Sequence, residues 1–463
     1  MQTLKQDTKK IKPTDFLELP SIEAMSLEKD ELEAYQVHWF NKRLEQLKDK
    51  IPALGSLVDK QGVTNVEEIN EIAPLLYTHK VFKSYPLTLI EKNKFDKLTQ
   101  WLDKLTTVDL SGIDTNGIKT IDGWIQRLNE NGMWIVHSTG TTGKLSFNPK
   151  TTIEREILYK AMEQMYEACG ENIKGLKAPV FFGGWRGGAQ FAHGVMQLFG
   201  ERIGNNMEDF YTLHDYPVSA DFLSLAGRLG AAKASGQLKR MDMIKALVKS
   251  KGELIKVKKN TPKLMEDFTN NMLTNFKGER IFALGTTPQL LPAALAGLEK
   301  GVKHVFAPNS ILATGGGLKG IKAPDNWKEL MKEFYGVENL IMFYGMTEQN
   351  VGSPLCKNGH YHFYPYQIPI VLEPETGEAL PREGIQTGRM GLFDLTTETM
   401  WGGILTGDKV TIHYDDCGCG YKGPHIEDNV VRYSQINGQH DDKISCAGSQ
   451  EAYNEFLDFV AEE

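Results

Sequence analysis

A short loop rich in glycine and hydroxyl groups, Ser138–Lys144 (STGTTGK), carries the clearest chemical signal in this sequence. Its glycines allow tight turns, so several backbone N–H groups can converge on one anion. The serine and threonine hydroxyls add donors, and Lys144 adds a positive charge. A Walker loop needs serine or threonine after its lysine, where this chain has Leu145. The loop therefore predicts a polyphosphate site outside the Walker class, and a plain polar surface loop is the alternative.

Cysteine and histidine residues in two segments form a second candidate site. Cys356 lies shortly before His360 and His362, and Cys417 and Cys419 follow further along the chain. Three thiolates and one imidazole complete a closed tetrahedral zinc set. The Cys-x-Cys spacing is tighter than the usual Cys-x₂-Cys. The sequence predicts a structural zinc site with one of the two histidines as its imidazole, and thiols without metal beside a packed histidine are the alternative.

Composition excludes several classes of function. The 463 residues carry a net charge of −8, which argues against a general nucleic-acid binder. The sequence has no uninterrupted apolar run long enough to predict a membrane span. Its first residues contain lysines but lack the apolar core of a secretory signal. Five cysteines, an odd number, do not indicate a disulfide framework. We therefore expect a cytoplasmic globular protein that keeps its thiols reduced.

The elements that must position these residues change in character along the chain. Apolar residues at helical spacing between Asp30 and Lys50 predict a helix, and residues 20–130 are mainly of this type. From Trp134 onward, short apolar runs alternate with helical patterns, which indicates buried strands of an α/β sheet. The predicted strands are Met133–Val136, Val180–Phe182, Arg280–Leu284, Leu340–Tyr344, Ile368–Leu372, Met390–Leu395 and Lys409–Tyr414.

The loop Ser138–Lys144 resembles the signature loop of the adenylate-forming superfamily of acyl-CoA synthetases and luciferases. Within it, the sequence is most similar to the phenylacetate–CoA ligase family and to the acyl-protein synthetase of bacterial bioluminescence. Further segments match in the same order: Pro74–Lys80 with Tyr85 and Pro86, Gly183–Gly188, Thr286–Pro288, Tyr344–Glu348, Thr406–Asp408 and Gly438–Asp442. The resemblance spans roughly residues 50 to 448, and it favours His362 over His360 because His362 precedes Phe363–Pro365.

The resemblance implies a role for each matching residue. Lys144 and the rest of its loop would hold the β- and γ-phosphates of ATP, and Thr347 would contact the α-phosphate. Glu348 would hold Mg²⁺, and Asp408 would accept hydrogen bonds from the ribose hydroxyls. Tyr344 would lie against adenine, beside a wall of backbone glycines. The implied ATP-binding residues are Ser138, Thr139, Gly140, Thr141, Thr142, Gly143, Lys144, Gly315, Gly316, Tyr344, Thr347 and Asp408, and the catalytic residues are Lys144, Thr347 and Glu348.

The implied fold is α/β, with layered β-sheets flanked by helices and a distorted β-barrel subdomain. We expect a helical segment over residues 1–130, an adenylate-forming core over 131–437 that is rich in strands from about 355, and a hinge with a short tail over 438–463. Gln439 stands where the family has the hinge arginine. The family's small C-terminal domain is expected to be largely absent.

The resemblance implies ATP-dependent activation of a carboxylic acid as an acyl-adenylate, followed by thioester formation. Trp185, Phe191 and Thr286 are candidates for the acid pocket, and their environment favours an aromatic or fatty acid. CoA is the expected acceptor, and the basic segment Lys233–Lys263 would suit its phosphates, although a solvated helix face also explains that segment. Cys446, or a cysteine of a partner protein, is the alternative acceptor. A nucleotide- or acyl-binding protein without the second half-reaction and a homodimer are left open.

Overall fold

The computed structural model describes residues 8–138, 144–234, 236, 253–315, 318, 322–436 and 459–460. The chain divides into two compact units that are interleaved in sequence. The first unit combines Met1–Ile135, Ser146–Ala168 and Gly345–Glu463, and the second combines Val136–Leu145 and Cys169–Tyr344. The candidate site residues therefore belong to two units, each built from separated parts of the chain. The domains predicted from the sequence were consecutive along the chain.

Helices make up most of the N-terminal part of the first unit. The helix Lys29–Leu47 confirms the predicted one, and it buries Leu32, Tyr35, Trp39 and Leu44 on one face. The other α-helices of this unit are Ser21–Ala24, Pro52–Gln61, Leu87–Glu91, Phe95–Asp103, Ile121–Asn129, Thr152–Ala168 and Tyr433–Ile436. Short 3₁₀ helices occupy Thr8–Lys10, Pro13–Glu18, Ile69–Leu75 and Val81–Lys83. Burial of apolar side chains, as on the helix Lys29–Leu47, contributes most to the stability of such a unit.

A seven-stranded sheet forms the other half of the first unit. Its strands are β1 (Tyr77–Thr78), β10 (His360–His362), β11 (Gln367–Leu372), β12 (Ile385–Asp394), β13 (Gly403–His413), β14 (His425–Glu427) and β15 (Val431–Arg432). The central order is β10-β14-β13-β12-β11, all antiparallel, while β1 and β15 also pair with β13. Three short strands lie elsewhere along the chain: β2 (Met133–His137), β3 (Phe147–Thr151) and β9 (Ser353–Pro354).

Parallel strands form the centre of the second unit. They are β4 (Val180–Trp185), β5 (Phe210–His214), β6 (Phe282–Thr286), β7 (Ile311–Gly315) and β8 (Leu340–Tyr344), in the order β5-β4-β6-β7-β8. The helices of this unit are Phe191–Arg202, Ala220–Ala234, Glu253–Asn275, Thr287–Glu299 and Trp327–Tyr335. Phe181, Leu291, Met331 and Phe334 are among the buried side chains that join helices to the sheet. Alternating strands and helices produce this arrangement because a parallel connection must cross over the sheet.

The α/β class with sheets flanked by helices is confirmed, and each predicted strand overlaps an observed one. No helix within the described part of the chain is long and apolar enough to cross a membrane.

Candidate functional site

Four predicted metal ligands come together in the first unit. The Sγ atoms of Cys356 and Cys417 lie 3.8 Å apart, and Cys419 Sγ lies 3.3 Å from His362 Nε2. One ligand atom from each of the four residues falls within 4.8 Å of those of the others. Cys356 and His362 are buried, and the other two are partly exposed. The structure thus gathers the residues of the predicted zinc set at one point.

Two tight turns and one strand position this cluster. Cys356 donates its backbone N–H to His360 O at 2.8 Å, which closes a turn that contains Gly359 at φ 81°. In the second turn, Gly418 adopts φ 70° and donates its N–H to Asp416 Oδ1 at 2.8 Å. Glycine adopts these left-handed conformations at little cost, so both turns can direct their cysteines inward. The spacing of cysteine and glycine in the sequence already indicated such turns.

A group of four histidine rings adjoins the thiols: His360 and His362, which the sequence analysis named, and His413 and His425, which it did not. His360 and His362 share a face of β10, because side chains two residues apart on a strand point the same way. Pairing of β10 and β13 with β14 brings His362 and His413 opposite His425. The His425 ring is stacked against both, with centroids at 5.0 and 5.3 Å. Only strand register brings these rings together, so the spacing of the histidines along the chain did not predict the group.

Burial keeps two imidazoles of this group, those of His362 and His425, neutral. Burial, reinforced by neighbouring imidazoles, lowers the pKa of His362 to about 3. Burial also lowers the pKa of His425 to about 4. His413 Nε2 lies 3.0 Å from Glu427 Oε1. His360 Nδ1 lies 3.3 Å from Cys417 Sγ. Neutral imidazoles offer the lone pairs that metal coordination needs.

Glu348, the predicted magnesium ligand, lies among cations of the first unit. Desolvation raises the pKa of its carboxyl group, while Lys150, Arg432 and Lys83 are near enough to act in the opposite direction. Lys150 has no exposed surface and donates to Asn350 Oδ1 at 2.8 Å and to the backbone carbonyl of Gln349 at 3.2 Å. Asp394 supports the same segment by accepting the backbone N–H of Asn350 at 2.7 Å. Buried groups therefore hold the chain directly after Thr347 and Glu348.

Asp408, the predicted ribose ligand, also lies among cations. Its Oδ1 lies 3.3 Å from Arg432 Nε, and the two residues are paired in register between β13 and β15. Burial lowers the pKa of nearby His79 to about 3, and the positive charges of Lys83, Lys80, Arg432 and Arg389 lower it further. The sequence analysis did not assign a function to Lys83, Lys150, Arg389 or Arg432, because no motif spacing connects them.

Several candidates of the second unit lie at one edge of its parallel sheet. Trp185, Thr286, Gly315 and Tyr344 are the last residues of β4, β6, β7 and β8, respectively. Because parallel strands end at the same edge, these residues line up along it, and ligands of open α/β sheets bind outside this carboxyl edge. Of these four residues, only Tyr344 ends a predicted strand. The predicted strands Val180–Phe182 and Arg280–Leu284 end before Trp185 and Thr286, and β7 was not predicted.

The start of the phosphate loop is attached to the same edge. His137, the last residue of β2, donates its backbone N–H to Ala189 O at 2.8 Å and forms a bridge with Gln190, shortly after β4 ends. Ser138 follows directly, and Lys144 is the next described residue of the loop. Thr139, Gly140, Thr141, Thr142, Gly143, Gly316, the hinge segment Gly438–Asp442 and Cys446 lie outside the described residues, as does most of Lys233–Lys263.

Aromatic rings surround Trp185 at this edge. Its ring is stacked on His214 at 4.4 Å, and His193 lies 5.5 Å away. Burial lowers the pKa of His193 to about 4, with smaller contributions from His137 and His214. His193 Nε2 is buried without a hydrogen-bond partner among the described residues. The three rings thus lie together at this edge, with the His193 Nε2 atom buried among them.

The other pocket candidates occupy helix starts. Thr286 precedes the helix Thr287–Glu299, and its backbone N–H is accepted by Gln289 Oε1 at 2.9 Å. Gln289 in turn donates to the Gly183 carbonyl at 2.8 Å. Phe191 begins the helix Phe191–Arg202 and is half-buried. Strands β4 and β6 are thus linked near their ends through Gln289.

Comparisons with known proteins give matches of fold at low identity. Solved structures of 2-hydroxyisobutyryl-CoA ligase match at 11–12% identity, over 89–90% of this chain and 73–75% of theirs, with TM-scores of 0.46 to 0.48. One of them is an open conformation in complex with 2-HIB-AMP and CoA. Apo MatB from Rhodopseudomonas palustris matches 36% of this chain and 33% of its own at 16% identity and a TM-score of 0.24. No protein-family model matches the chain, and neither does any curated protein.

Proposed function

We propose that this protein is an ATP-dependent ligase that activates a carboxylic acid as an acyl-adenylate and passes the acyl group to a thiol. The observation that carries the proposal is the alignment of Trp185, Thr286, Gly315 and Tyr344 along the carboxyl edge of one parallel sheet. The phosphate loop starts at that edge through the backbone bond from His137 to Ala189. Ligands of open α/β sheets bind outside this edge, which is where the motif residues of the four strands lie.

The proposed first step joins the acid to the nucleotide. A carboxylate oxygen attacks the α-phosphorus of ATP, the bond to the β-phosphate oxygen breaks, and pyrophosphate leaves. Lys144 and its loop would neutralise the β- and γ-phosphates, while Thr347 would donate to the α-phosphate. Bound Mg²⁺ would neutralise phosphate charge, and Glu348 offers it a hard oxygen ligand. Groups of this kind act where negative charge is greatest in the transition state.

The cations around Glu348 and Asp408 support the nucleotide assignment. Lys83 and Arg432 add positive charge near both Glu348 and His79, as an anionic ligand requires. Asp408 lies 3.3 Å from Arg432, which orients its carboxylate, and a carboxylate would accept hydrogen bonds from the ribose hydroxyls. Lys150 fixes the segment that follows Glu348, so this carboxylate would be held in place before metal and nucleotide arrive.

An aromatic or fatty acid is the proposed substrate, because Trp185 and its neighbours offer aromatic faces rather than a charged partner. CoA is the proposed acceptor: its thiolate attacks the acyl carbon, and AMP leaves. Acylation of Cys446 or of a partner protein is the alternative. In that case a hydroxylamine-labile acyl mass forms on the peptide that contains Cys446, and Cys446→Ser abolishes it while sparing pyrophosphate exchange. With CoA as acceptor, acyl-CoA appears in solution and the same substitution has no effect.

We further propose a structural zinc ion bound by Cys356, His362, Cys417 and Cys419. Bond lengths of about 2.3 Å for Zn–S and about 2.0 Å for Zn–N place tetrahedral ligand atoms roughly 3.5–3.8 Å apart. The 3.8 Å between Cys356 and Cys417 and the 3.3 Å between Cys419 and His362 fit those spacings. The ion would join the turn at Cys356 to the turn at Cys417, on the same sheet as Asp408.

ATP–pyrophosphate exchange, measured across a panel of carboxylic acids, tests the ligase proposal. An aromatic or fatty acid should support exchange, and Lys144→Ala should lower the rate by about 10²–10⁴-fold, the range for losing a charge-stabilising group. Lys174→Ala, an exposed lysine of the same unit, is the matched control and should leave exchange unchanged. If no acid in the panel supports exchange while ATP still binds, the chain is a nucleotide-binding protein instead.

A further inference from the structure

Two histidines beside the proposed zinc site are not needed by it. Cys356, His362, Cys417 and Cys419 already supply four ligands, which closes a tetrahedral zinc sphere. His360 and His425 nevertheless lie against the same thiols. One ligand atom from each of His360, Cys417 and His425 falls within 4.8 Å of the other two. Cys417 is therefore common to two groups of potential ligands.

The distances around Cys417 suit a thiolate shared by two metal ions. Its Sγ is 3.8 Å from Cys356 Sγ on one side and 3.3 Å from His360 Nδ1 on the other. A tetrahedral ion with one sulfur and one nitrogen ligand holds these atoms about 3.5 Å apart. The sulfur thus has a suitable partner for each of two coordination spheres, and a thiolate has enough lone pairs to serve both.

The second histidine, His425, has a backbone carbonyl beside one ring nitrogen, which favours a suitable tautomer. His425 is buried, and its Nδ1 faces the carbonyl of Gly423 at 3.5 Å. A proton on Nδ1 would point to that carbonyl and leave the lone pair on Nε2. A backbone carbonyl behind a ligating imidazole is a common arrangement at metal sites. His413, stacked on the same ring, differs because its Nε2 lies 3.0 Å from Glu427 Oε1.

Charge favours a second cation as well. Three thiolates and one Zn²⁺ give the first, partly buried metal site a net charge of −1. Another divalent ion on the shared sulfur would reverse that charge, and the imidazoles would add no negative charge of their own.

We propose that a second, exchangeable divalent metal ion binds Cys417, His360 and His425, with Cys417 as the bridging thiolate. The inference builds on the zinc site proposed above. Soft sulfur and imidazole nitrogen ligands select zinc or a similar transition metal rather than magnesium or calcium. Three protein ligands leave one position open to water, so this ion should bind more weakly than the first.

Equilibrium dialysis of the whole chain against buffered free Zn²⁺, followed by metal analysis, tests the second site. The wild type should bind two ions at saturating zinc and keep one when free zinc is lowered. His425→Phe keeps a ring in the stack but removes the ligand nitrogen, so it should bind one ion at every zinc concentration that is tested. His413→Phe, the matched control, should still bind two, and thermal unfolding of both variants would show that they are folded.

Cobalt gives an independent measurement on the same proteins. Filling both positions with Co²⁺ should couple the two spins through the shared sulfur and weaken the high-spin EPR signal per cobalt, and His425→Phe should retain the full signal. One ion per chain in saturated wild type, or two in His425→Phe, would overturn the second site. One ion leaves the first zinc site standing, in which case His360 only donates a hydrogen bond to Cys417, whereas a chain without any bound metal overturns both.

Discussion

Arg432 Nε lies 3.3 Å from Asp408 Oδ1, across the paired strands β13 and β15. Arg432 is largely exposed, whereas Asp408 is mostly buried. An ion pair with one exposed partner contributes little to stability, at most about 1 kcal/mol. The pair therefore matters more for keeping the Asp408 carboxylate in one orientation than for holding the sheet together.

Replacing Asp408 with alanine should raise the KM for ATP about tenfold and change kcat little, because a ribose contact contributes to binding in both ground and transition states. Steady-state pyrophosphate exchange at varied ATP concentrations measures both constants. Asp415→Ala, an exposed aspartate beyond the end of β13, is the control and should behave as the wild type. An unchanged KM in Asp408→Ala would remove Asp408 from the nucleotide site.

Replacing Lys150 with methionine should shift the acidic limb of the pH–rate profile to higher pH. Desolvation raises the pKa of Glu348 and Lys150 opposes this, so losing the lysine raises that pKa further. Glu348 would then be protonated, and unable to hold Mg²⁺, at a pH where the wild type is still active. The Glu348→Gln variant cannot ionise at this position. It should have a low kcat, and the acidic limb of its pH–rate profile should not move to higher pH. A Lys150→Met profile that overlays the wild type would refute the coupling.

The same Lys150 variant should also be less stable. The substitution leaves Asn350 Oδ1 and the Gln349 carbonyl buried without their donor, which costs about 1–3 kcal/mol per lost partner. Thermal unfolding measured at each pH of the activity profile separates this loss from the pH effect, because it shows at which pH values the variant is still folded.

Replacing Cys419 with serine should lower the zinc content and the melting temperature together, because metal binding contributes to the free energy of folding. Metal analysis of protein purified without added metal should find zinc in the wild type and much less in this variant. Cys169→Ser alters a cysteine of the second unit, outside the metal-ligand cluster, and should keep its zinc. Stability that is the same with and without metal would exclude a structural role for the ion.

Stability should fall as the pH is lowered from about 6.5 toward 4, with His193 contributing to the slope. Its pKa is lowered to about 4 by burial, whereas an unfolded chain protonates histidine near its ordinary value of 6.5. Between these values the unfolded state binds more protons, so acid favours unfolding; above 6.5 the contribution is complete. Urea unfolding between pH 4 and 7 should give a shallower slope for His193→Gln than for the wild type, and equal slopes would refute the assignment.

Local patterns in the sequence were sufficient to predict the α/β class, seven of the strands and four metal-ligand candidates that the structure brings together. Local signals carry such information: apolar periodicity specifies an element, and glycine beside cysteine specifies a turn. Predicted and observed strands agree closely at Leu340–Tyr344, where a short apolar run is bounded by polar and glycine residues.

Contacts between residues that are far apart in sequence depend on the tertiary structure. Strand register brought His413 and His425 to the thiols, and burial of Lys150 brought its ammonium to Asn350. Register and burial depend on the packing of the whole sheet, so no periodic pattern in the sequence predicts them. The interleaving of the two units has the same origin, because contacts between segments far apart in sequence, such as β1 with β13, define a compact body.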